Sequence, residues 1–79
     1  MKNPLYKQVE IIKELLAEKS NGFIHKAEIH YTWWSNGFNP DRFSDALLDE
    51  YQSKSDPHVC NFRAWIPKSI KEIYTELTA

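Results

Sequence analysis

The stretch SNGFNPDRFSDALLDEY, residues 35–51, decides how the chain is read. Gly37 breaks the chain, and the Asn39-Pro40 pair after it is a helix start. Asparagine caps free backbone N–H groups, and proline with its fixed φ suits the first helical position. Asp41 adds negative charge at the positive end of the helix dipole. From there Phe43, Ala46, Leu47 and Tyr51 recur at helical spacing and predict an inward stripe. The outward arc then holds Asp41, Arg42, Asp45, Leu48, Asp49 and Gln52, and its three aspartates, spaced four apart, form one acidic stripe.

Upstream, Leu5, Val9, Ile12 and Leu16, widened by Ile11 and Leu15, predict a first amphipathic helix. Asn3 is its cap, Pro4 lies in its first turn, and Asn21-Gly22 is a left-handed stop. Residues 22–25, GFIH, suit a short strand. A second helix is expected from Lys26 to Ser35, with Ala27, Tyr31 and Trp34 on one face and Ile29 and Trp33 on a neighbouring one. Downstream, Ser55-Asp56-Pro57 reads as a turn. VCNFRAWI, residues 59–66, alternates as a strand would, with Cys60, Phe62, Ala64 and Ile66 on one side and Asn61, Arg63 and Trp65 on the other. Pro67 opens a last helix whose core side is Ile70, Ile73, Tyr74 and Leu77.

The expected class is mainly α with a small β element, an α+β domain spanning residues 1–79. Helix, short strand, helix, turn, helix, hairpin and helix is an order that resembles the winged-helix branch of the helix-turn-helix superfamily. In that resemblance residues 26–51 are the turn pair and residues 52–66 a small wing. Gly37, Phe38, Phe43 and Ala46 fit the family's turn glycine and packing positions, whereas Asn36 stands where the family carries an apolar residue. The resemblance implies a compact winged-helix-like domain and, for many members, DNA binding.

The composition narrows that implication. Seventy-nine residues with 10 basic and 11 acidic side chains carry a net charge of −1, without the basic excess usual in a free-standing DNA-binding domain. One cysteine cannot form an internal disulfide, which suits a reducing compartment. The first 19 residues are interrupted by charges and read as neither a signal peptide nor a membrane span. The expectation is a cytoplasmic protein, monomer or homodimer, with no membrane association.

A major-groove reader presents Arg, Lys, Asn or Gln to base edges. The arc of the third helix offers Arg42 and Gln52 against three aspartates, each repelled by a nearby phosphate by about 1 kcal/mol even in water. A solvated acidic face and a protein-binding face both remain open for it. Lys26, Lys54, Arg63 and Lys68 are the candidate phosphate contacts if DNA is bound through the wing. Trp33, Trp34 and Trp65, with Tyr31, are candidate hot-spot anchors if exposed and packing residues if not. His25, His30, His58 and Cys60 lack the spacings of a zinc site, and no nucleophile motif or glycine-rich phosphate loop is present. No enzyme, metal or cofactor is expected. The chain is similar in class to the small inhibitors encoded by phages and other mobile elements. The resulting expectation is a protein-binding regulator or inhibitor that engages a basic, nucleic-acid-handling partner through Asp41, Asp45, Asp49, Arg42, Gln52 and the tryptophans. The alternative is a winged-helix transcriptional regulator acting through the wing cations.

Overall fold

The computed structural model describes residues 4–19 and 21–79; the expected cap Asn3 lies outside them. The chain runs α1 (Pro4–Glu18), β1 (Phe23–His25), α2 (Lys26–Ser35), α3 (Arg42–Glu50), β2 (Val59–Asn61), a 3-10 turn (Arg63–Trp65) and α4 (Ile70–Thr78). It is a mainly helical α+β fold with a two-stranded antiparallel sheet. Among the described residues no helix is long and apolar enough to cross a membrane.

α1 is the central packing element. Val9, Ile11, Ile12, Leu15 and Leu16 are buried as their spacing predicts, and Leu5 packs against the same cluster. Gln8 falls on this stripe too and is buried despite its amide. α2 and β1 cover one flank of α1 and α4 another, with Ile24, Ile29, Trp33, Phe62, Trp65 and Ile73 in the core beside Leu47, Leu48 and Cys60. Lys13 ties α1 to the 3-10 turn by donating from Nζ to the carbonyls of Trp65 and Ile66, at 2.7 and 3.1 Å.

α2 has the expected bounds, and its end is set by backbone geometry. Gly37 has φ +78°, Phe38 N–H donates to Trp33 O and Gly37 N–H to Trp34 O. This paired reach-back satisfies the helix's last carbonyls, and it is completed by an edge-on contact of the Phe38 ring with Trp33 at 5.9 Å.

Several expectations need correction. α3 starts two residues later than Asn39-Pro40 suggests. Asp41 is the cap: its Oδ1 accepts from Ser44 N–H at 3.0 Å, and Ser44 Oγ accepts from Asp41 N–H at 3.3 Å. That reciprocal pair satisfies the Ser44 hydroxyl, so Ser44 can be buried at little cost. The helix therefore turns Ser44, Leu47 and Leu48 inward, while Phe43 and Ala46 face out and Tyr51 stays half-buried against the core. Leu48, expected outside, is 1% exposed, and Phe43, expected inside, is 48% exposed.

The strand expected through residue 66 ends at Asn61. Asn61 Oδ1 accepts from Arg63 N–H at 3.1 Å and turns the chain. In the 3-10 turn that follows, residues three apart share a side, so Phe62 and Trp65 are both buried while Ala64 and Ile66 face out. Alternation fails there because the period has changed from two to three.

Gly22 does not stop α1, which ends at Glu18. It has φ +80° and lies where a Cβ would stand 2.7 Å from Arg63 Cγ and 2.9 Å from Arg63 Cα. Its carbonyl accepts from Phe62 N–H, so this glycine lets β1 approach the end of β2. Pro67 likewise precedes α4 rather than opening it, and Ser69 caps that helix through Glu72 N–H.

β1 and β2 pair in the register Phe23↔Asn61, Ile24↔Cys60 and His25↔Val59. Residues 51–53 lie along the other edge of β2, through a Gln52–Cys60 bridge and bonds from Asn61 N–H to Tyr51 O and from Ser53 N–H to Val59 O. The hairpin expected over residues 52–66 is thus confined to about residues 51–61.

Candidate protein-binding face

Adjacent tryptophans on a helix point about 100° apart, and α2 uses this to divide their roles. Trp33 is fully buried, tucked against Phe38. Trp34 is 68% exposed, and Tyr31, one turn earlier, is 67% exposed. Their rings lie 6.4 Å apart at 48°, forming an open aromatic surface. Trp65 is 2% exposed and packs between Tyr51 and Phe62, at 5.1 and 4.7 Å. Trp33 and Trp65 are therefore core residues and not anchors. Trp34 is left as the exposed tryptophan, with Tyr31 beside it.

The acidic stripe of α3 faces the same side of the molecule as the polar edge of α2. Lys26 Nζ lies 3.0 Å from Asp49 Oδ1 and 3.1 Å from Gln52 Oε1. One turn along, His30 Nε2 lies 3.6 Å from Asp45 Oδ1. Residue number rises on α2 as it falls on α3, so the helices run antiparallel along this seam. Asp45 and Asp49 keep side-chain exposures of 65% and 70%, which leaves both open to an approaching partner. Asp41 is exposed as well as capping, and the Ser44 N–H holds its carboxyl below the usual carboxylate range, so it stays ionised. Arg42 is exposed beside it. Residues 26–52 carry two cations, Lys26 and Arg42, against five acids, a net charge of −3 in a chain whose total is −1.

The candidate phosphate contacts are differently placed. Lys26 is held by Asp49. Lys68 is paired with Glu76 at 2.9 Å, a bond that pushes its ammonium above the ordinary lysine value. Arg63 donates from Nε to Asn21 O at 3.0 Å and lies over the Phe23 ring. Lys54 lines a groove of about 440 Å³ with Phe23 and Asn61. Lys54 and Arg63 thus come to one side of the hairpin, while Lys26 and Lys68 are each drawn to an acid elsewhere.

His58 precedes β2 and shares no strand face with Cys60. Its exposed ring stacks on that of His25 at 6.1 Å. His25 Nδ1 accepts from Ala27 N–H and caps α2. Cys60 is fully buried, its Sγ donates to Leu48 O at 3.3 Å, and burial pushes the thiol above its ordinary value. Among the described residues, no three His, Cys, Asp or Glu side chains converge to hold a metal ion.

Two features of this side were not read from the sequence. Phe43 is exposed, which follows only from the Asp41–Ser44 cap. Gln8 is buried, and that signal was present: it sits three residues after Leu5 and four before Ile12. Comparison with known proteins brings no match: no family model fits the chain, and no curated protein or solved structure is similar to it.

Proposed function

We propose that the chain is a non-catalytic protein-binding regulator, a winged-helix-like scaffold whose α2–α3 face docks on a basic surface of a nucleic-acid-handling protein. The observation that carries this is the Tyr31–Trp34 pair. Two large aromatics, each two-thirds exposed and one turn apart, belong to a segment of net charge −3, residues 26–52. Exposed Trp and Tyr concentrate binding energy in protein interfaces, and truncating a hot spot costs at least about 2 kcal/mol. Flanking acids speed encounter with a cationic surface and repel phosphates. Sequence-specific DNA reading through α3 is disfavoured by the same acids. Reading through the hairpin leaves Lys54 and Arg63 as its main cations, few for a phosphate-driven affinity.

The test is affinity capture from the source cell with the wild-type chain and with Tyr31→Ala/Trp34→Ala. Both side chains project from the fold, so circular dichroism should be unchanged. A specific protein captured by the wild type and lost in the double variant supports the reading. Equal capture by both, or retention of duplex DNA by the wild type at physiological salt, contradicts it.

A further inference from the structure

The rotation of α3 that puts Phe43 outside the core also places it on a pocket of about 250 Å³ lined by Pro4, Leu5, Gln8, Asp41 and Phe43. That is below the roughly 300–1,000 Å³ of typical small-molecule sites and suits one side chain better than a cofactor. Its chemistry is uneven. Pro4, Leu5 and the Phe43 ring are apolar, and Asp41 is an ionised carboxylate. Gln8 is 2% exposed, and its Oε1 has no hydrogen-bond partner among the described residues. A buried acceptor is nearly always satisfied, so an orphaned one on a residue that lines a pocket beside a carboxylate points to a donor-rich ligand. The N-terminus of α3 brings about half a positive charge to this place, and the full charge of Asp41 leaves it net negative.

We propose that this pocket receives an arginine side chain of the partner, an inference that rests on the protein-binding reading and names what the basic surface presents. A guanidinium offers five N–H donors in a planar fork, enough to donate to the Asp41 carboxylate and, with a turn of the Gln8 amide into the pocket, to Gln8 Oε1 together. Its flat face stacks on Phe43, and its methylene stem lies along Pro4 and Leu5. Lysine supplies the charge but is a compact, strongly hydrated point that cannot stack or fork. A neutral isostere of arginine keeps the shape and loses the attraction to Asp41. The pocket lies at the Asp41 end of the acidic stripe of α3.

The experiment is a titration of the 79-residue chain, followed by amide and side-chain NMR, with three end-blocked peptides. Each has a Gly-Ser background and one central arginine, lysine or citrulline. The arginine peptide is expected to move the Gln8 side-chain amide, the Ser44 amide and the Phe43 ring, binding about fivefold more tightly than the lysine peptide. The citrulline peptide should leave them in place. Phe43→Ala should bring arginine down to the lysine level, and Gln8→Leu, which removes the orphaned acceptor, should do the same. Phe43 is half-exposed, so its variant keeps the fold even if Gln8→Leu does not. Equal affinity for arginine and lysine in the wild type overturns the proposal, as do shifts confined to Tyr31 and Trp34 or no shift at millimolar peptide. None of these results touches the capture of a protein through Tyr31 and Trp34. Capture unaffected by those two alanines defeats the protein-binding face while leaving the peptide result readable by itself.

Discussion

Leu48→Ala tests the rotation of α3 on which the whole candidate face depends. Leu48 is 1% exposed and belongs to the core cluster, and the Cys60 thiol donates to its carbonyl. Removing its three outer carbons leaves a cavity in a site walled by helix and strand, and such truncations cost about 2–5 kcal/mol. A domain of this size has about 4–12 kcal/mol of total stability, so the loss runs from about a sixth of it to all of it. At about 4–8 °C per kcal/mol, a 3 kcal/mol loss lowers Tm by about 12–24 °C. Phe43→Ala is the control. Its ring is 48% exposed, so truncation should cost about 1 kcal/mol or less despite the larger side chain. The assay is urea unfolding followed by far-UV circular dichroism, with the slope checked for constancy so that the midpoints compare stability alone. Phe43→Ala costing more than Leu48→Ala would mean that α3 is rotated the other way, with its aspartates displaced from the face assigned to them.

Gly22→Ala should destabilise by about 2–5 kcal/mol, because a clash of the new methyl group with the Arg63 backbone adds to the cost of an unfavourable φ. Gly37→Ala, with open space around it, should lose about 1–2 kcal/mol from the backbone alone; equal midpoints for the two would refute the close approach at Gly22. The Asp41 carboxyl is held low in the folded state, so its contribution is complete above the ordinary carboxylate value and fades as pH falls through the folded one. Asp41→Asn keeps a capping oxygen but cannot titrate. It should flatten the acid limb of the stability–pH curve while leaving neutral stability little changed, and an unaltered acid limb would contradict this. The Cys60 thiol is raised by burial, so its contribution is complete below the ordinary thiol value and is lost as pH climbs through the folded one. Native protein should therefore resist thiol reagents at neutral pH, and labelling at the rate of a free thiol would overturn its burial.

Much of the scaffold was legible because α1 and α2 obey one period each. The stripe of α1 and the bounds of α2 follow from apolar spacing and from Gly37, whose positive φ the turn requires. α3 was harder because two stripes are nearly equivalent in its sequence. Both include Leu47 and Tyr51, and the choice between Phe43 with Ala46 and Ser44 with Leu48 turns on a hydrogen bond. A serine looks wrong for a core until its hydroxyl is seen to be satisfied by Asp41. The Trp65 error has a similar origin. Alternation over residues 59–66 imitates a strand, and only the Asn61 turn converts it to a three-residue period. The acidic stripe was visible in the sequence, but its pairing was not. That Lys26 and His30 on α2 meet Asp49 and Asp45 is a tertiary fact with no local signal. The exposure of Trp34 beside a buried Trp33 was equally undecided, since adjacent helical positions fix an angle between two side chains and not which one faces the core.

The most direct test of the docking face is the association rate of the captured partner with the wild-type chain and with Asp45→Lys/Asp49→Lys. This variant spares the Asp41 cap and reverses two exposed charges. The expected result is a fall of at least about tenfold at low ionic strength that narrows as salt screens the surface. An association rate that is unchanged by the reversal and insensitive to salt would show that the α3 stripe is solvated surface with no part in binding.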